Sequence, residues 1–240
     1  MNGVGKPDLI VDGYASPHGF AMKPSHAKML QNANLIFWVG EDLENFLEKP
    51  LSSIAKKAEK IELMEIKGLN KLEFRERNIF EEHDDHGHDD HKEHGHKEDK
   101  HDDHEGHAHG EYDPHIWLDP MNAKVILNEM VEHLIENDAK NASKYKSNLK
   151  KALKDIDKLN ADVKKELSKS TASIVFHDAY QYFEERYDIN ILGAFTVNTD
   201  VMPGAEQLAE IREIIELDKV TCVFSEPQFN PDIIKAVAKD

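Results

Sequence analysis

Short apolar runs recur along the chain, and between them apolar residues return every third or fourth position. DLIV at 8–11, LIFWV at 35–39, a weaker run at 60–64, SIVF at 173–176, ILGAF at 191–195 and VTCVF at 220–224 are continuous rather than alternating. That is the pattern of strands covered on both faces of a parallel sheet. Helices are predicted from Ser25, as N-cap, to about 34, then over 42–48, 121–136, 179–187 and 205–217. In the third of these Val125, Ile126, Met130 and Leu134 share one face. Strand and helix alternate, which predicts an α/β fold.

One helix has a different character. Over 142–167, Leu149, Leu153, Ile156, Leu159, Val163 and Leu167 form a single narrow stripe, and Lys and Asp fill most of the rest. Such a helix suits a connector between two bodies. The expected organisation is two parallel-sheet α/β lobes, 1–138 and 170–240, joined by a long linker helix within 139–169.

The segment 81–111 interrupts this pattern. Its core, 83–109, holds ten of the fifteen histidines: His83, His86, His88, His91, His94, His96, His101, His104, His107 and His109, interleaved with Asp and Glu. A stretch so poor in apolar residues buries too little surface to offset its ordering entropy, so a mobile insert is expected. Imidazoles with a pKa near 6.5 are largely neutral at pH 7, and dense nitrogen donors on a flexible backbone suit Zn, Cu, Ni or Co. A low-affinity metal tract follows.

The formal net charge of −17 argues against nucleic acid or an anionic membrane surface as partner, since both reward clustered Lys and Arg. Cys222 is the only cysteine, which removes an internal disulfide and a CxxC metal site. There is no apolar run of about 18 residues to span a bilayer and no signal-peptide core at the start. The ends read as those of an incomplete piece, because the chain stops a few residues into a new helix.

Five histidines lie outside the tract. His26 and His133 fall within predicted helices and read as helix-surface side chains. His18 follows the first apolar run, His177 directly follows SIVF, and His115 sits in the segment YDPHIW. Ligands of open α/β sheets bind beyond the carboxyl ends of strands, which makes these three the candidate metal ligands. Three imidazoles without a cysteine favour zinc over Mn or Mg, with copper and nickel open on ligand type. No GxSxG, P-loop, GxGxxG or HExxH is present. The remaining classes are a metal receptor, a three-histidine zinc hydrolase using Asp178 or Glu226 as general base, and a histidine-rich metal store. In the receptor, Asp178 and Glu226 become carboxylates that orient a ligand.

The segments ASPHGFAMKPS, LQNANLIFWVGEDLENFLEKP, the His- and Asp-rich insert followed by HIWLDP, then VFHDAYQYFEERY, FTVNTDVMPGAEQLAEI and TCVFSEPQFNP resemble the ZnuA-type zinc-binding proteins of bacterial ABC importers. The resemblance covers nearly the whole chain. It implies a monomeric periplasmic solute-binding protein that captures Zn²⁺ in a cleft between its lobes and hands it to an ABC transporter membrane permease. It also implies no enzymatic activity. Carried over by position, its ligands are His18, His115 and His177, and the tract becomes an auxiliary low-affinity collector. Related manganese receptors carry a carboxylate where His177 stands. Pro17 occupies the place of a glutamate found in some members, and the family's aspartate ligand would fall past Asp240, as would a cysteine partner for Cys222.

Overall fold

The computed structural model describes residues 1–75, 79, 110–167, 172–197, 199, 203–217, 220–230 and 232–237. The ten histidines of the tract lie outside the described residues.

The first lobe opens with α1 (Pro24–Asn32), β1 (Leu35–Trp38), α2 (Glu41–Glu44), α3 (Glu48–Ser53) and β2 (Glu59–Glu62). β1 and β2 pair in parallel, with Leu35 opposite Glu59 and Trp38 opposite Glu62. Leu30, Ile36, Trp38, Leu47, Leu51 and Ala55 close the core between the sheet and these helices. A helix crossing from one parallel strand to the next is what this pairing requires, and α2 and α3 supply it.

Two expectations fail in this lobe. Residues 8–11 form no strand. Leu9 is 56 % exposed while Ile10 packs against the core, so the run contributes one side chain and no hydrogen-bond ladder. Ser25 is not the cap of α1 either: Pro24 takes the first turn, where its missing N–H and fixed φ cost nothing, and Lys23 becomes the N-cap. His26 Nδ1 accepts the Lys23 amide at 3.2 Å, the bond a capping-box Glu would otherwise make.

α4 (Pro120–Asn137) starts at Asp119, whose carboxylate accepts the Met121 amide at 2.8 Å. A short turn leads into α5 (Ala142–Glu166), the 25-residue helix expected as the linker, which packs along α4. Tyr145 is its one buried residue among those described, in keeping with a narrow apolar stripe.

The second lobe contains β3 (Ser173–His177), α6 (Gln181–Tyr187), β4 (Ile191–Thr196), α7 (Ala205–Leu217), β5 (Cys222–Phe224) and α8 (Asp232–Val237). Its strands run parallel in the order β4-β3-β5. Every residue of β3 and β4 is buried, which accounts for their unbroken apolar sequences. Ile174, Phe176, Leu192, Phe195, Ile211 and Ile214 form that lobe's core. Among the described residues no helix is long and apolar enough to cross a membrane.

The lobes meet through side chains of α6. Tyr182 is 1 % exposed and lies in a first-lobe cluster with Met64, Ile66, Ile116 and Ile126. Its hydroxyl donates to the Asp113 carbonyl at 2.7 Å and accepts from the Leu72 amide at 3.1 Å. One turn on, the Arg186 guanidinium grips buried Asp119, with Nε at 2.7 Å from Oδ1.

Candidate metal centre

Three segments that the fold brings to one place each carry a histidine. His18 sits in the loop before α1, where its backbone amide donates to Ser16 Oγ at 3.2 Å. His115 precedes a short 3-10 turn, Ile116–Leu118, on a segment whose Asp113 amide bonds the Leu72 carbonyl at 2.8 Å. His177 ends β3, at the carboxyl edge of the second sheet. Their ring centroids are 5.5 Å (His18–His115), 4.9 Å (His18–His177) and 5.0 Å (His115–His177) apart.

One ligating atom from each ring lies within 4.8 Å of the others. His18 Nε2 and His115 Nε2 are 3.4 Å apart. The edge of a tetrahedron with Zn–N bonds of about 2.0–2.1 Å is roughly 3.3 Å, so this pair stands at the spacing that one zinc ion demands. His115 and His177 are 3 % and 4 % exposed, and His18 is half-buried.

The surroundings prepare these rings as ligands. His115 Nδ1 donates to Asp113 Oδ1 at 2.6 Å, which fixes the proton on Nδ1 and leaves the Nε2 lone pair facing the other imidazoles. The same Asp113 oxygen accepts the His115 backbone amide at 2.9 Å. Burial, and then the neighbouring His115 and His18, hold the His177 pKa well below the usual histidine value, so the ring stays neutral and able to ligate.

Of the two carboxylates expected beside the ligands, Glu226 lies 4.0 Å from His177 Nδ1, beyond hydrogen-bond reach. Burial raises its pKa. Asp178 turns to Arg75 instead, whose Nη1 donates to its Oδ1 at 3.3 Å. Its pKa is raised to about 6 because burial outweighs the guanidinium's pull. Arg75 also bonds Glu184, so it links the first lobe to two positions of the second.

Sequence reasoning missed Asp113, Arg75 and Tyr182. A signal existed for the first: an acid two residues before a candidate ligand, on a proline-bounded segment, is placed to fold back onto that ligand's ring. For Arg75 and Tyr182 no local signal existed, because their partners lie more than 60 residues away. His133, expected as a helix-surface side chain, stands half-buried among three glutamates.

Two parallel α/β lobes, a long helix between them and a cleft lined by three imidazoles define a metal-binding receptor of the solute-binding class. A family model described as the periplasmic zinc-uptake complex component A, ZnuA, matches residues 2–240, and the chain belongs to that family. It is 46 % identical over 250 residues to the high-affinity zinc uptake system protein ZnuA of Brucella abortus (strain 2308), covering 99 % of this chain and 75 % of the relative. The protein of the same name from Yersinia pestis is 36 % identical over 233 residues, 96 % of this chain and 71 % of the relative. Among solved structures, a crystal structure of ZnuA superimposes with a TM-score of 0.75 at 23 % identity, covering 96 % of this chain and 77 % of the other. A zinc-bound ZnuA deletion mutant gives 0.73 at 23 % identity, with 95 % and 75 % covered.

Proposed function

We propose that this protein is a high-affinity zinc receptor that holds one Zn²⁺ between its lobes through His18, His115 and His177 and passes it to an ABC transporter permease. The convergence of the three imidazoles, with two Nε2 atoms at 3.4 Å, is the observation that carries this reading. The names of the relatives, which specify zinc uptake, agree with it. The zinc is cargo, and the all-nitrogen donor set at this spacing suits it better than harder cations that prefer oxygen.

The working place of such a receptor is the periplasm, and it acts as a monomer without nucleic acid. We propose no catalytic role for it: the relatives are named for zinc uptake, and Asp178, one of the two carboxylates considered as a general base, is engaged by Arg75. The tract at 83–109 serves as a weak collector beside the tight site. Competitive zinc titration of the wild type, of a His18→Ala/His115→Ala/His177→Ala variant and of a chain lacking 83–109 tests this. One tight site is expected in the wild type, none in the triple variant, and one again in the deletion. A tight site surviving the triple substitution would refute the assignment.

A further inference from the structure

Away from the cleft, a second imidazole is surrounded by acids on two rigid elements. His133 projects from α4, with Glu129 one turn before it and Glu136 one turn after, and Glu59 opens β2 alongside. His133 Nδ1 stands 2.7 Å from Glu59 Oε1 and 3.8 Å from Glu136 Oε2, and Nε2 stands 3.4 Å from Glu129 Oε1. The Asn137 amide donates to the other Glu59 oxygen at 2.7 Å and holds that carboxylate in place. Phe37 lies edge-on to the ring at 6.4 Å, an apolar wall on one side. Among the described residues, His133 is the one ion-pair partner of all three glutamates.

A neutral imidazole has a single N–H. A neutral ring therefore donates to one carboxylate only, and a positive charge, a proton or a bound cation, is needed to satisfy the others. A divalent cation on Nδ1 supplies that charge: it accepts the lone pair and neutralises Glu59 and Glu136 while Nε2–H turns to Glu129. The ligating atoms of Glu59, His133 and Glu136 already lie within 4.8 Å of one another. The 2.7 and 3.8 Å separations bracket the roughly 3.3 Å edge of a tetrahedral zinc site, so closure needs shifts of about half an ångström.

We propose that Glu59, His133 and Glu136 form a second divalent-cation site, taking Zn²⁺ or a similar borderline ion through one nitrogen and two carboxylate oxygens. It is weaker than the cleft, because Glu136 is largely exposed and two of the three donors are oxygens. Filled, it ties the end of α4 to the start of β2, and being weaker it fills after the cleft. The cleft's ligands take no part in it.

Nitrogen-15 NMR on the full chain tests the proposal. With the cleft loaded by one equivalent of Zn²⁺, which cobalt displaces poorly, excess Co²⁺ is added as the paramagnetic probe. Amides of 58–60 and 130–137 should shift or broaden saturably. His133→Ala should weaken that response about tenfold or more, and Glu136→Gln, at an exposed position that leaves the fold intact, should weaken it less. Both variants should keep the cleft zinc. No saturable response at these amides, or an equal response in His133→Ala, overturns the site.

Discussion

His115 and His133 each hold a carboxylate oxygen against Nδ1, at 2.6 and 2.7 Å, yet they stand in opposite circumstances. The second nitrogen of His115 looks at another imidazole in a buried cleft, whereas that of His133 looks at Glu129 near the surface. In the cleft the acid is an outer partner and the inner donors are all nitrogen. At His133 the acids are themselves the inner donors. The same pair of residue types therefore underlies an all-nitrogen proposed site in one place and an oxygen-rich proposed one in the other, and burial with the third neighbour decides which.

The largest expected effect separates the two directly. His115→Ala should weaken zinc binding at the tight site about a hundredfold or more, beyond the cost of an outer partner, while His133→Ala leaves that affinity unchanged. Chelator competition measures both, and equal losses would erase the distinction. Next comes Asp113→Asn, which keeps the shape but supplies a weaker acceptor to Nδ1–H; a tenfold to hundredfold loss is expected, of order 10–100 as for other outer-partner substitutions. Glu59→Gln should leave the tight site untouched in the same assay.

The third effect is on folding. Tyr182→Phe strips a hydroxyl that serves the Leu72 amide and the Asp113 carbonyl, so zinc-free protein should lose about 1–3 kcal/mol in urea unfolding. Since that carbonyl belongs to the residue orienting His115, zinc affinity should fall in the same variant. Unchanged affinity would mean the cleft does not depend on this inter-lobe contact.

The smallest effect concerns pH. With the His177 pKa lowered, the ring remains neutral across a window beneath the ordinary histidine value where a solvated imidazole is already protonated. Acidification from pH 7 to about 6 should strip metal from the His133 cluster before the cleft, because protons compete with metal for each imidazole and the cleft binds more tightly. Metal analysis after dialysis reads the order of release, and the reverse order would contradict the tighter binding assigned to the cleft. For the zinc-free fold, the His177 shift costs stability as pH falls below the ordinary histidine value, because the unfolded chain then takes up a proton that the folded chain refuses. Asp178, raised to about 6, acts oppositely by binding its proton more readily when folded, which flattens the net slope.

Much of the second lobe was legible because β3 and β4 are covered on both faces and leave unbroken apolar runs, while α5 announces itself by its stripe. DLIV misled because an apolar run reports burial rather than pairing, and only Ile10 of that segment packs against the core. In the site, His18, His115 and His177 stood out by their positions at loops and a strand end. What orders them did not: Asp113 went unread although its place two residues before His115 offered a signal, and Arg75 meets Asp178 across 103 residues, a closure that no local pattern encodes.

His177 closes the fully buried strand at the centre of its sheet, and His115 sits on a segment pinned by both Leu72 and Tyr182. His18 alone belongs to an open loop, half-exposed, before the first helix. Backbone amides near the first two should be among the slowest to exchange with deuterated water, and those around His18 among the fastest. The three ligands thus differ in how often they let go. In the proposed site an ion would leave by first losing the His18 loop while the other two rings still held it, so the order of bond breaking would be written into the unequal anchoring of three identical side chains.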